Sequence, residues 1–398
     1  MNAMLGIGCM FMSVVALSAC GTDDAQPNHG ADSGNVAGSA GNGGSGASGG
    51  SGASGGSGAS GGSGASGGSG ASGGSGASGG SGASGGGAGE AGMGGSAGSS
   101  GAGGEPFPTA GWELSASSVG LARLGLSCDS LPEYTGPKKP SAGSTISEQK
   151  ITLEELDLSE GNITLDRVCV RPVDIGNRSS LIFGYNPDLG EGQKGPVTIK
   201  DSDIDGSSVS NPLIFATCAF RGAANLYRNH IWGMGSGICF FGSSSMTSAE
   251  VEQNYVHDLR AGMFGNPPQP SHNESATIRS FGGTSLLWKN NRLESFSGSD
   301  SGALFIQAYA GEIRNVVIEG NFMDTYGYDL PLETHGQNGY SNMKAIDNRF
   351  GLSGYGVGYV TGGPGWDVWA DNYIYEKNAA DGKGKEASCP GGTCGSVP

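Results

Sequence analysis

The chain is expected to form an all-β solenoid, a path of short strands wound in stacked coils, and three observations carry that expectation. A nine-residue pattern, clearest as VVIEGNFMD (316–324), recurs as VTIKDSDID (197–205), ANLYRNHIW (224–232), AEVEQNYVH (249–257), SLLWKNNRL (285–293), NMKAIDNRF (342–350) and DVWADNYIY (367–375). A degenerate copy, ITLDRVCVR (163–171), precedes them. Each copy alternates apolar positions and then inserts a polar one, at Ser202, Asn229, Asn254, Asn291, Asn321, Asn348 and Asn372, with intervals of 27, 25, 37, 30, 27 and 24 residues. Such a loose period marks a repeat architecture. Second apolar runs fall between the copies, among them PLIFATCAF (212–220), GICFFG (237–242), ATIRSF (276–281) and ALFIQAY (303–309). No interval carries a helix-length stretch of i, i+3, i+4 apolar spacing, which argues against βαβ units.

The chain before the repeats reads differently. Residues 1–20, MNAMLGIGCMFMSVVALSAC, form an apolar run too brief to span a bilayer comfortably. They resemble a bacterial lipoprotein signal, with Leu17-Ser18-Ala19-Cys20 as the lipobox and Cys20 as the lipidated first mature residue. That resemblance implies a lipid anchor, and Gly21 after the cysteine implies the outer membrane or cell surface of a Gram-negative bacterium. Residues 21–105 read as a disordered linker rich in Gly, Ser and Ala, and residues 43–84 are seven uninterrupted copies of GGSGAS. A segment with so little apolar area cannot offset the entropy of ordering. Some 75 flexible residues give an average span of ~50 Å.

Residues 106–145 read as a cap over the first coil, 146–375 as the solenoid and 376–398 as a polar tail. The whole chain carries a net charge of −16, and after position 100 there are 33 acids against 21 bases, a net −12. Such a balance excludes a general nucleic-acid binder. Beyond Cys9 and Cys20 there are six cysteines, an even set that an oxidising compartment favours as disulfides. Cys389 and Cys394 in CPGGTC are placed to clip the tail, and Cys218 and Cys239 to join adjacent coils, while fifteen connectivities stay open in principle.

The rung spacing over about residues 145–375 resembles that of the right-handed parallel β-helix proteins of the pectate-lyase-like superfamily. Their fold explains why asparagine recurs between apolar positions. At a sharp turn, inward-facing backbone groups cannot join a sheet ladder, and an amide supplies two donors and an acceptor to them and to the next coil. Asn229, Asn254, Asn291, Asn321, Asn348 and Asn372 are therefore expected to stack as a ladder.

Chemistry is expected where coils swell. The longest interval, between Asn254 and Asn291, holds a Pro-rich loop followed by His272, Glu274 and Arg279, and two coils later comes DLPLETHG with Asp329, Glu333 and His335. Aligning the second strands brings Arg279, Gln307 and Glu333 together. His272 or His335 could then serve as the base of a lyase, with Arg279 or Arg260 clamping a uronate carboxylate. Hydrolysis would instead need paired carboxylates, Glu274 with Glu333 or Asp329. His257 in YVHDL reads as a structural residue beside a turn. No cofactor is called for, and calcium, held by Asp, Glu and backbone carbonyls, is the metal these residue types allow. The clustered Asp pairs of the β-helix galacturonases and the RxPxxR-like stretch of the pectate lyases are absent, so neither activity carries over. Aromatic residues, Tyr326 and the GYGVGYVTGGPGWDVW segment (354–369) among them, crowd the later coils and could stack on sugar faces. The resemblance thus implies a polysaccharide-binding or polysaccharide-active surface protein, an enzyme such as a uronate lyase being one form of it. The alternative class is a non-enzymatic adhesin or envelope structural protein.

Overall fold

The structure is a computed structural model that describes residues 107–185, 192–391 and 394–395. The signal run with Cys20 and the linker over 21–105 lie outside the described residues, as does His29. Among the described residues there is no α-helix, only short 3-10 turns, and no helix is long and apolar enough to cross a membrane.

Three parallel sheets run along the molecule, and every coil contributes a strand to each in turn. One coil shows the plan. Ser285–Lys289 lies in the first sheet, Arg292–Ser295 in the second and Asp300–Gln307 in the third, before the chain returns to the first sheet at Ile313–Glu319. Each strand pairs in parallel with its counterpart one coil on. The fold is therefore an all-β parallel β-helix. Strict register stacks like upon like. In the first sheet Leu165, Ile199, Leu226, Val251, Trp288, Ile318 and Ala345 face one another in sequence. In the second, Val170, Ile204, Ile231, Val256, Leu293, Met323 and Phe350 do the same. These rows form one continuous core.

Between first and second sheets the chain turns on two residues. The first has a left-handed backbone, as at Arg228 (φ 55°), Gln253 (φ 58°), Asn290 (φ 54°) and Gly320 (φ 65°). The second is the asparagine. Asn321 Nδ2 donates to Trp288 O at 2.9 Å and to Asn348 Oδ1 at 3.0 Å, while its Oδ1 accepts from Asn291 N and Asn291 Nδ2, each at 2.9 Å. The same bonds repeat from Asn229 through Asn254 and Asn291 to Asn372, all buried. Ser202 begins the row by donating its backbone N–H to Asn229 Oδ1. Burial of an amide costs little when every donor and acceptor is used.

Residues 107–131 do not sit over one end. They run lengthwise along the outer side of the second sheet as a strap. Gly111 N donates to Gly320 O, Leu114 O accepts from Arg292 Nη1, Gly120 N donates to Arg228 O and Leu121 N to Asp203 Oδ1. Cys128–Cys169 ties the strap to an early coil, and the Arg349 guanidinium lies 4.1 Å over Trp112 at a late one. The edge of the first coil is instead met by the following residues, with Pro132 O and Tyr134 N bonded to Lys150. At the far end Lys383–Glu386 pairs antiparallel with Tyr373–Tyr375, and Ala387 O accepts from Trp369 Nε1. Disulfides Cys218–Cys239 and Cys389–Cys394 complete the set seen here.

Candidate functional site

The third sheet carries most of the residues that the sequence nominates. Strand Asn273–Ser280 lies between Ser236–Phe241 and Asp300–Gln307. Arg279 Nη1 donates to Gln307 Oε1 at 2.6 Å, and Gln307 Nε2 donates to Glu333 Oε2 at 2.6 Å. Tyr359 O–H donates in turn to the other oxygen of Glu333. The Arg279 guanidinium also stands 3.7 Å from Glu274 and 4.9 Å over the Phe305 ring. Arg279, Glu274 and Glu333 thus belong to one polar row across successive coils. Burial pushes the Glu274 carboxyl up against the opposing pull of Arg279, and burial raises the Tyr359 hydroxyl, reinforced by Glu333.

The two histidines are not brought together. Register puts Gln307 beside Glu333, and the pairing of Ile306 with Ile278 puts it level with Arg279. His335 is then level with Phe281, nine residues along the strand from His272, or roughly 30 Å. His272 is exposed at the strand's start, close enough to favour the ionised form of Glu274. His335 packs its ring 5.0 Å from Tyr309. One base for one sugar linkage can draw on either end but not on both. Asp329 is buried in the turn before the third sheet, with no hydrogen bond of normal geometry to either carboxylate oxygen. Burial first, and Asp324 second, push its carboxyl well above the usual range, against only partial relief from the backbone of Leu352 and Thr325.

That same turn exposes a row of rings. Phe296, Tyr326 and Tyr355 come from three successive coils and are 43%, 52% and 77% exposed. Phe296 meets Tyr326 edge to face at 5.1 Å. Tyr328 links Tyr355 (5.5 Å) to Tyr359 (4.8 Å), so the rings lead directly into the polar row at Glu333. Asp324 stands at the margin of this strip, half-buried, its carboxylate accepting from Ser353 N and Oγ at 3.0 Å each.

A second cluster, on the outer face of the second sheet, was not nominated. His230 pairs with Tyr255, and Trp232 with His257, on adjacent strands. Their rings stack, at 4.2 Å for His230 on Trp232 and 4.2 Å for Tyr255 on His257. The two Nε2 atoms meet at 2.7 Å. His257 Nδ1 lies 2.8 Å from Asp258 Oδ2, and His230 Nδ1 lies 3.9 Å from Asp203 Oδ1. Burial holds His230 down to about 4, with His257 adding to the effect, while burial lifts Asp203 to about 6. A groove of about 440 Å³ opens here between strap and sheet, lined by Ala116, Ser117, Arg171, Asp203, His230 and Trp232. His257 is therefore more than a residue beside a turn. Aligning the repeats on their asparagines would have placed it beside His230, three positions after Asn254 against one after Asn229.

Among the described residues no group of three or more His, Cys, Asp or Glu side chains is arranged to hold a metal ion, so the calcium expectation gains no site there. Comparison with known protein families, with characterised proteins and with solved structures finds no match. What the fold defines is a class: a parallel β-helix, consistent in general with carbohydrate-binding or carbohydrate-active proteins of that architecture.

Proposed function

We propose that the β-helix is a polysaccharide-binding domain displayed at a bacterial outer surface. The single observation that carries the reading is the exposed ring row, Phe296, Tyr326 and Tyr355, one ring per coil, continuing through Tyr328 and Tyr359 into hydrogen-bonding side chains. Monomeric proteins seldom leave contiguous aromatic surface in water without a use for it. Flat rings offer contact area at low entropic cost, and a coil-by-coil repeat suits a ligand that is itself a repeat. The Arg279–Gln307–Glu333–Tyr359 row supports binding more than turnover. Each member is already held by its neighbour, which fixes donors and acceptors in place but leaves no free base beside a free cation. In this reading the coil is right-handed, the lipidated Cys20 anchors the chain, the 21–105 linker spaces it from the membrane, and uronate-containing glycans are candidate ligands through Arg279.

The test is affinity electrophoresis and calorimetry of the full chain against a panel of neutral and uronate-containing polysaccharides, with ultraviolet absorbance followed in parallel. Saturable binding, lost in Tyr326→Ala with Tyr355→Ala, is the expected outcome. Growth of the unsaturated-uronate absorbance would turn the reading into a lyase. Absence of binding across the panel would favour a display or adhesion role instead.

A further inference from the structure

We propose that His230 and His257 form a binding site for a divalent transition-metal ion of the copper class, held by two imidazole nitrogens with its remaining positions open to the groove beneath the strap. The inference is independent of the glycan reading, since it concerns a different face and different residues.

The hydrogen-bond arithmetic of the pair sets up the argument. The Asp258 carboxylate only accepts, so His257 Nδ1, 2.8 Å away, carries the proton, and the Nε2 of its neutral ring is a bare lone pair. That lone pair points at His230 Nε2, 2.7 Å away. In the metal-free protein His230 must donate from Nε2. Moving that proton to His230 Nδ1 would aim it at Asp203 Oδ1, 3.9 Å away, and leave two lone pairs converging on one point. Nothing is lost or gained in this step: one ring changes tautomer. Each imidazole then has a carboxylate behind its outer nitrogen, the arrangement that orients ligating histidines and raises their basicity.

Geometry selects the ion. Nitrogen ligands at about 2.0–2.1 Å from one centre lie about 2.9 Å apart at a right angle and about 3.3 Å apart at the tetrahedral angle. The observed 2.7 Å is close to the first value and well short of the second. A right-angled pair is what tetragonal Cu(II) or Ni(II) takes, and copper heads the affinity order for nitrogen sites. The rings cannot swing apart freely, because His230 is stacked on Trp232 and His257 on Tyr255, while neighbouring strands fix both backbones. Two ligands are fewer than a closed structural site uses. The vacant positions face water or a ligand donor, and His230 itself lines the groove of about 440 Å³. Asp205, Asp203 and Asp258 supply negative charge around the pair, Arg171 taking up only part of it through Asp205 at 2.7 Å.

The experiment titrates the full chain, free of any histidine tag, with Cu(II) and separately with Zn(II), using calorimetry, thermal unfolding and electron paramagnetic resonance. One Cu(II) per chain, an axial spectrum with coupling to two nitrogens, a raised unfolding temperature and weaker Zn(II) binding are expected. His257→Gln should lose the two-nitrogen coupling and bind at least tenfold more weakly. Asp258→Asn, at a side chain 80% exposed and so without consequence for folding, should weaken Cu(II) by about 10- to 100-fold. A wild-type spectrum retained in His257→Gln would show chelation by other groups such as His29, His272 or the chain's amino terminus, and would overturn the proposal. So would an absence of Cu(II) binding by the unaltered chain. Should His257→Gln fail to fold, unchanged affinity in Asp258→Asn overturns it as well.

Discussion

Replacing Asn321 with alanine probes the coil-to-coil turn at its most connected point. The side chain gives up donors to Trp288 O and Asn348 Oδ1 and the acceptor for Asn291 N and Asn291 Nδ2. Asn348 Oδ1 keeps its bond from Asn321 N, because the backbone remains. Three buried groups are left without a partner at full strength: the Asn291 N–H, one Asn291 Nδ2–H and the Trp288 carbonyl. At about 1–3 kcal/mol for each, the loss is about 3–9 kcal/mol, set against a total of about 5–15 kcal/mol for an ordinary domain. Asn342→Ala is the matched control. Its amide donates to Asn315 Oδ1 at 2.8 Å but at an exposed position, so the change should stay within about 0.5 kcal/mol.

Equilibrium unfolding in guanidinium, followed by far-ultraviolet circular dichroism, compares the two variants, with the denaturant slope checked for loss of cooperativity. A solenoid can break into independently melting coils. A second transition in Asn321→Ala alone would therefore also count as the expected local weakening. The reasoning fails if Asn321→Ala unfolds within about 1 kcal/mol of Asn342→Ala with an unchanged slope.

Three further outcomes follow from the same contacts. Tyr326→Ala and Tyr355→Ala expose no core, so each should leave the melting temperature nearly unchanged while weakening polysaccharide binding at least several-fold by affinity electrophoresis. Asp329 has a folded-state carboxyl raised by burial, so the folded protein holds a proton that the unfolded chain releases; stability should fall as pH climbs from the unfolded carboxylate range through the raised value. The isosteric Asp329→Asn should flatten that slope and melt higher than the parent at pH 8, and an equal slope in both proteins would refute the assignment. Arg349, fully buried, donates to Asp381 O at 2.9 Å and Asp347 O at 3.0 Å between the Trp112 and Tyr373 rings. Arg349→Leu should raise hydrogen exchange in both 110–114 and 380–386, whereas loosening of one segment alone would show that the two ends are held separately.

How much of this is legible in the sequence depends on whether side chains or backbone make the contact. The coil period is readable because each turn places an amide where the core needs its donors, and only a narrow choice of side chain, Asn or Ser202, meets that need. The residue before each asparagine is equally constrained in backbone but nearly silent, since Arg228 and Gln253 hold a left-handed conformation that glycine or asparagine would adopt more readily. Gly320 is the exception that shows the demand: an added Cβ there would sit 2.2 Å from Asn290 Oδ1. The polar row on the third sheet is readable to within a residue, because Arg279, Gln307 and Glu333 follow from register once the strands are aligned. The strap is not readable at all. It docks through Gly111 N, Leu114 O, Gly120 N and Leu121 N, main-chain groups that every residue carries. Such contacts impose no spacing on GWELSASSVGLARLGLSCDS, so a segment that covers one whole face of the solenoid reads in isolation as a cap for one end. The groove beside His230 exists only because the strap lies there, which is why that site could be found from coordinates and not from the repeat.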